Sequence, residues 1–177
     1  SIALTGLGAK TVTTALRFDP IRLPEHCQEL RREVRAFLAD EVSAGTFDPL
    51  RSGSAEGEDA KAFSRRVGRR GWIGMTWPKK YGGQERSFLE RYVVTEEMCV
   101  ANAPVLPFFV ADRQSGPTLI RYASEQTKQS ILPRIIRGEA SFCIGMSEPG
   151  SGSDLFAAKC KKGTPPAIAT IRMRASR

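Results

Sequence analysis

The chain has 177 residues, of which 41% are hydrophobic and 26% charged, a composition typical of soluble globular proteins with room for one domain and part of another. No apolar run approaches the length of a membrane-spanning helix. The formal net charge is +8, but residues 155–177 contain six Lys/Arg and no acid, so the excess lies in a tail rather than on a folded nucleic-acid-binding face.

Residues 1–20 have no steady hydrophobic period, and we expect a loosely ordered leader without a secretory signal. Apolar residues then recur at helical spacing from Leu23 to Leu38, which predicts an amphipathic helix ending near Glu41. His26 lies in its first turn and is interpreted as a surface side chain.

The four cysteines are scattered and the chain has a single histidine, so a zinc site is poorly supplied. We expect reduced thiols in a cytoplasmic protein, with Cys27 on the helix and Cys143 in a later strand as small buried side chains.

Residues 43–58 are rich in Gly, Ser and charge and are predicted to form a loop. A shorter helix follows, with Phe63 and Val67 facing inward and Arg66 outward, and it stops at Gly71. The apolar connector 72–78 contains two tryptophans, which we expect to anchor it to the core.

Ser87 and Glu90 match the capping-box pattern and predict the start of the next helix, which would bury Leu89 and Val93. Glu96 and Glu97 invite an acid–base assignment. Because adjacent helical residues point in different directions, we interpret them as structural rather than as a catalytic pair.

Residues 104–110 are apolar and interrupted by proline, and a short helix is predicted over residues 115–123. Ser124 can cap a further helix, which Pro133 should kink or restart and Gly138 should end. The period changes from helix to strand after Glu139, where we place a domain boundary.

The run from Phe142 to Met146 is typical of a buried strand, and it enters a Pro/Gly/Ser turn over residues 147–153. Such a turn can direct several backbone N–H groups and hydroxyls at one anion or carbonyl. It lacks the Lys-Ser/Thr of a P-loop and the spacing of a dinucleotide-binding turn. The residues by themselves indicate a polar ligand loop at the end of a strand.

The segment Met146-Ser-Glu-Pro-x-x-Gly-Ser-Asp154 resembles the flavin-binding signature of the acyl-CoA dehydrogenases, and Gly71-Trp-x-Gly-x-x-x-Pro-x-x-Tyr-Gly-Gly83 is similar to a second family motif. The resemblance covers roughly residues 23–158. It implies a mainly α fold: a helical N-terminal domain over residues 21–139, then the first strands of an incomplete β-barrel middle domain over residues 140–158. The sequence of residues 111–117 is similar to that of actinobacterial family members acting on steroid side-chain thioesters.

The resemblance also implies the activity, which is α,β-dehydrogenation of an acyl-CoA substrate with FAD as cofactor and electron-transfer flavoprotein or a similar acceptor. By motif position, Met146, Ser147, Gly152 and Ser153 would bind the flavin, and Ser153 could also contact CoA. Phe108 and Phe109 are the candidates for lining the acyl pocket. Family members form homo- or hetero-oligomers.

No catalytic residue is assigned in this chain, because the family's catalytic glutamate lies in a C-terminal helical domain. Residues 159–177 depart from the family pattern, and we expect this basic tail to result from a shifted reading frame or a premature stop. The chain alone would then be inactive. Two alternatives stay open: a non-catalytic partner of a full-length dehydrogenase, and a basic protein that binds nucleic acid through its tail.

Overall fold

A computed structural model describes residues 22–51, 57–143 and 153. The described part of the chain is helical. Its elements are α1 (Glu25–Ser43), α2 (Gly57–Arg69), a 3₁₀ turn (Lys79–Tyr81), α3 (Phe88–Val100), α4 (Leu106–Val110), a π-helical segment (Ala111–Ser115), α5 (Gly116–Tyr122) and α6 (Glu125–Ile136). None of these helices is long and apolar enough to cross a membrane.

Helix α1 confirms the predicted amphipathic helix. Cys27, Leu30, Val34 and Leu38 are buried at i, i+3 and i+4 spacing, whereas His26 is exposed. The buried stripe packs mainly on α3, so these two helices form the largest helix pair of the described ranges.

Arginines of α1 bind both carboxylates of the Glu96–Glu97 pair. Glu97 is 5% exposed and accepts from Arg35 Nε at 2.7 Å and Arg35 Nη2 at 3.0 Å. Its other neighbour is Arg31, whose Nε lies 2.9 Å from Glu97 Oε1 and whose Nη2 pairs with Glu96. Glu96 also accepts from the Tyr92 hydroxyl at 2.7 Å. These ion pairs join α1 to α3 and support the structural interpretation of both glutamates.

Arg66 does not simply face water, contrary to the prediction for α2. It donates two hydrogen bonds of 2.6 Å to Glu41 on α1, and Glu41 is 7% exposed. Phe63 and Val67 are fully buried, as predicted.

The connector between α2 and the 3₁₀ turn is a buried part of the core. Trp72 and Trp77 are each 3% exposed, which confirms their predicted anchoring. The Trp72 ring meets Phe37 of α1 edge-on, with centroids 5.2 Å apart. This contact fixes the connector against α1.

The N-terminus of α3 has the predicted capping box. Glu90 N–H donates to the Ser87 hydroxyl at 3.2 Å, and Ser87 N–H donates to the Glu90 carboxylate at 2.8 Å. The prediction for Leu89 was wrong, because Leu89 is exposed and the buried face of α3 passes through Val93, Val94 and Met98 instead.

Helix α6 runs through Pro133 as one element, so the helix does not restart there, and the alternative prediction of a kink stays a prediction. Proline removes one N–H donor, and the carbonyl that this donor would have bonded is that of Gln129, an exposed residue. Ser124 caps α6 as predicted, accepting from Thr127 N–H at 3.2 Å. Gly138 ends it at φ +70°, where a Cβ would lie 2.2 Å from Ser64 O.

Residues 139–143 have no regular secondary structure, and residues 144–152 lie outside the described ranges. The expected first strands of a β-domain are therefore not seen in the part of the chain that the structure describes. Phe142 is buried at 6% exposure, but Cys143 is exposed, which corrects the expectation of a buried thiol.

Candidate functional site

A narrow cavity lies between α3 and the continuous helix formed by α4, the π-helical segment and α5. Its volume is about 20 Å³, which is room for about one water-sized group. Apolar and polar side chains both line it; the lining residues are Trp72, Arg91, Val94, Thr95, Met98, Val105, Phe108, Phe109, Asp112 and Arg113.

Helix α3 supplies one wall through a single face. Arg91, Val94, Thr95 and Met98 follow each other at i, i+3, i+4 and i+7, so they lie above one another on the helix. The capping box at Ser87 fixes the start of this helix and hence the position of the wall.

The π-helical segment supplies the opposite polar wall. A π-helical turn holds one residue more than an α-helical turn and changes which residues face inward. Phe108 and Phe109 precede the segment by one turn, and Asp112 and Arg113 lie within it, so all four line the cavity. Sequence periodicity alone gave no sign of this segment.

Asp112 connects the cavity to the tryptophan-containing connector. It is 5% exposed and accepts a hydrogen bond of 2.7 Å from Gly74 N–H. Burial raises the pKa of the Asp112 carboxyl above its ordinary value, and the Gly74 hydrogen bond and Arg113 partly oppose that shift. Gly74 has φ +66°, and a Cβ there would lie 2.7 Å from Ile136 Cγ1. Only glycine therefore fits this donor position without strain.

Two arginines face this single carboxylate. Arg113 Nε lies 3.2 Å from Asp112 Oδ2, and Arg113 Nη2 donates to the Thr95 hydroxyl. Burial lowers the pKa of Arg113, and the nearby charge of Arg91 lowers it further. Arg91 stacks over Phe88 with its Cζ 4.7 Å from the ring centroid, and its buried Nε has no hydrogen-bond partner within the described ranges.

The structure brings Phe108 and Phe109, the predicted acyl-pocket residues, together in this cavity. Phe108 is 8% exposed and Phe109 is 36% exposed, so the second ring reaches the mouth. Of the predicted flavin contacts, Met146, Ser147 and Gly152 lie outside the described residues, and Ser153 is an exposed residue in a bend. Their roles stay predictions.

Sequence reasoning missed the polar half of the cavity. The helical spacing of Arg91 and Thr95 could have indicated their shared face, but both read as ordinary surface positions of α3. The period of hydrophobic residues could not have indicated that Asp112 and Arg113 line the cavity, because both belong to the π-helical segment.

A larger open groove, about 320 Å³ in volume, lies between α1 and α2. Two of its three arginines have partners: Arg66 binds Glu41, and the Arg70 guanidinium lies 5.4 Å from the Phe37 ring centroid. We assign no ligand to this groove.

Residues 24–139 match the family model of the acyl-CoA dehydrogenase N-terminal domain. The chain is 39% identical over 131 residues to acyl-CoA dehydrogenase FadE26 of Mycobacterium tuberculosis, a match covering 72% of this chain and 32% of that protein. The chain thus spans about a third of that relative's length.

Solved structures give the same result. The steroid acyl-CoA dehydrogenase Tcur3481–Tcur3483 matches with a TM-score of 0.68 at 37% identity, covering 80% of this chain and 37% of that one. The ChsE4–ChsE5 complex from Mycobacterium tuberculosis matches with a TM-score of 0.70 at 34% identity, covering 82% of this chain and 37% of that one.

Proposed function

Because the chain belongs to the acyl-CoA dehydrogenase family, we propose that it supplies the helical N-terminal domain for flavin-dependent α,β-dehydrogenation of acyl-CoA thioesters. The observation that carries this proposal is the match of residues 24–139 to the family model. The small cavity between α3 and α4 lies within the matched residues, and Phe108, Phe109 and Met98 give it an apolar wall.

The proposed division of labour follows the family resemblance. FAD, when bound, supplies the hydride acceptor. Residues 140–158 would open a middle β-domain, in which the Met146 and Ser147 backbone and the Ser147 hydroxyl hold the flavin ring. Gly152 would allow close backbone approach, and Ser153 would contact flavin or CoA.

We assign no catalytic base to the described residues. Glu96 and Glu97 are engaged by Arg31 and Arg35, and Asp112 by Gly74 and Arg113. The base is proposed to come from a C-terminal helical domain, whichever chain carries it. The steroid acyl-CoA dehydrogenase among the matching structures supports fatty-acyl or steroid side-chain thioesters as the substrates that we propose. The proposed electron acceptor is electron-transfer flavoprotein or a similar protein.

A cytoplasmic location is part of the same proposal. Cys27, Cys99 and Cys143, the cysteines of the described ranges, are free thiols, as expected of a reducing compartment.

Titration of the purified chain with FAD, followed by flavin fluorescence, tests the cofactor assignment. We expect saturable binding that is lost on replacing Ser147→Ala together with Gly152→Val. Ser130→Ala, a change on the exposed face of α6, is the matched control and should leave binding unchanged. Undiminished binding by the double variant would refute the assignment of this loop.

A second function, as a non-catalytic subunit of a two-component dehydrogenase, is favoured by the relatives that form complexes. Two of the matching structures contain paired gene products, ChsE4 with ChsE5 and Tcur3481 with Tcur3483. When a tagged form of the chain is expressed in the organism that encodes it, a full-length dehydrogenase should then co-purify with it in fixed stoichiometry. Recovery of the chain without such a partner would remove the support for this alternative.

A further inference from the structure

One side of α3 is rich in exposed apolar side chains. Of the eight large hydrophobic side chains that are exposed in the described part of the chain, four lie on this helix: Phe88, Leu89, Tyr92 and Val100. Single exposed apolar residues are normal, whereas four on a helix of 13 residues form a patch of the kind that marks an interaction surface. The opposite side of α3 is buried and packs on α1, so the patch is the side that a partner can reach.

The patch occupies a continuous sector of the helix. At 100° per residue, its members lie within about 120° of one another around the helix axis. We call this sector the outer face of α3; its residues, all exposed or half-buried, are Phe88, Leu89, Tyr92, Glu96, Cys99 and Val100.

The outer face is symmetric about the middle of the helix. Phe88 and Leu89 form an apolar pair in the first turn, and Cys99 and Val100 form a second pair in the last turn. Both pairs lie at the same distance from residue 94, and the polar members lie between them. When two such helices pack antiparallel, the first turn of one lies beside the last turn of the other. Apolar pair then meets apolar pair at both ends, which is the self-complementary pattern of a two-fold symmetric interface.

The polar centre of the outer face is already satisfied. The Tyr92 hydroxyl donates to the Glu96 carboxylate at 2.7 Å, and Arg31 of α1 pairs with the same carboxylate. A second copy can therefore cover this centre without leaving a donor or acceptor unpaired. Because Arg31 balances the charge of Glu96, two identical faces also meet without an excess of like charge.

We propose that the outer face of α3 is a homodimer interface, on which α3 of a second copy packs antiparallel. Phe88 and Leu89 of one copy lie on Cys99 and Val100 of the other, at both ends of the contact. Helix α3 is about 20 Å long, so the contact buries less than the roughly 800 Å² per partner of a standard stable interface. The dimer is therefore weak and reversible, and it requires neither flavin nor acyl-CoA.

Analytical ultracentrifugation of the whole chain over a range of concentrations provides the first test. We expect a monomer–dimer equilibrium with a Kd of about 10 µM. Val100→Lys should raise the Kd at least about tenfold, because it places an unpaired ammonium in the apolar contact. The variant should stay folded, since lysine is favourable at the last residue of a helix.

Tyr122→Lys is the matched control. Tyr122 is also the last residue of its helix, α5, and it is 72% exposed, against 78% for Val100. The two variants therefore add the same charge at equivalent positions of different helices. We expect Tyr122→Lys to dimerise like the parent, and circular dichroism melts would verify the folding of both variants.

A charge pair tests the antiparallel orientation. Leu89→Glu alone should also weaken the dimer, although a carboxylate in the first turn is favourable for the helix itself. In the double variant Leu89→Glu with Val100→Lys, the new carboxylate of one copy lies beside the new ammonium of the other. Positions 89 and 100 of one helix are about 16 Å apart, so this pair does not form within a monomer. The double variant should therefore dimerise more tightly than either single variant, and added salt should reduce that gain.

Three results would overturn the proposal. One is a parent chain that stays monomeric at about 100 µM, ten times the expected Kd, as it would if this face were reserved for a different protein. Another is association, as dimers or larger aggregates, that persists unchanged in a folded Val100→Lys or is lost equally in Tyr122→Lys. The third is a double variant that dimerises no more tightly than the single variants, which would refute the antiparallel pairing.

Discussion

Replacing Gly116 with alanine tests how closely α5 packs on the Trp77 ring. A Cβ at Gly116 would lie 2.1 Å from Trp77 Cζ2 and 2.2 Å from Cη2. Alanine in a helix is worth about 0.5–1 kcal/mol over glycine, whereas overpacking a core costs about 1–3 kcal/mol. Trp77 cannot move away easily, because it is 3% exposed and its ring and backbone already lie against Gly74 and Gly83. We therefore expect Gly116→Ala to lower the free energy of unfolding by about 1–2 kcal/mol.

Urea denaturation followed by far-UV circular dichroism measures this change, and a double-mutant cycle with Trp77→Phe identifies its cause. The buried Trp77 Nε1 has no hydrogen-bond partner within the described ranges, so phenylalanine loses packing but no hydrogen bond there. The smaller ring makes room for the new methyl group, and the double variant should be about 1 kcal/mol more stable than the two single changes add up to. Ser130→Ala, on the exposed face of α6, should stay within about 0.5 kcal/mol of the parent. A Gly116→Ala variant as stable as the parent would refute the steric reasoning.

Two further predictions concern buried charges. Arg66→Met should lower the free energy of unfolding by about 2 kcal/mol, because it leaves the buried Glu41 without its two hydrogen bonds of 2.6 Å. The control is Arg69→Met, a change at an exposed neighbour, which should alter the free energy of unfolding by less than about 0.5 kcal/mol. Equal losses of stability for the two variants in chemical denaturation would contradict a stabilising role of the Arg66–Glu41 pair. The raised pKa of Asp112 means that the folded chain keeps this proton to higher pH than the unfolded chain, so stability is lost as pH rises from the ordinary value of 3.8 through the folded value. An asparagine at this position would not titrate, so Asp112→Asn should not lose stability over this pH range. In denaturation experiments at a series of pH values, the stability of the variant relative to the parent should therefore increase with pH. A difference that does not change with pH would show that the pKa of Asp112 is the same in the folded and unfolded chains.

The parts of the fold that sequence reasoning predicted correctly depend on local signals. The buried stripe of α1 repeats at helical spacing, and the Ser87–Glu90 capping box requires residues only three positions apart. The failures depend on tertiary context. Leu89 has the right spacing for burial, but the buried face of α3 passes through Val93 and Val94 instead. Pro133 is a helix breaker in isolation, yet α6 continues past it.

The residues of the candidate site also differ in whether they could be predicted from the sequence. Phe108 and Phe109 could be nominated from the family resemblance, and the structure places both in one cavity. Arg91, Asp112 and Arg113 could not, since their meeting depends on how α3 is rotated against the π-helical segment. The sequence therefore predicted the apolar residues of the cavity but not its charged residues.

The tryptophan motif acquires a physical role from this geometry. Trp72 forms part of the cavity wall, and two residues later Gly74 adopts the positive φ that directs its N–H at Asp112. The hydrogen bond holds Asp112 beside Arg113, whose Nε lies 3.2 Å from Asp112 Oδ2. A side chain at Gly74 would collide with Ile136 and Trp77, so it would disturb the connector and the charge arrangement of the cavity together. The motif therefore also helps to position a buried carboxylate, because one backbone N–H links the buried connector to the π-helical segment.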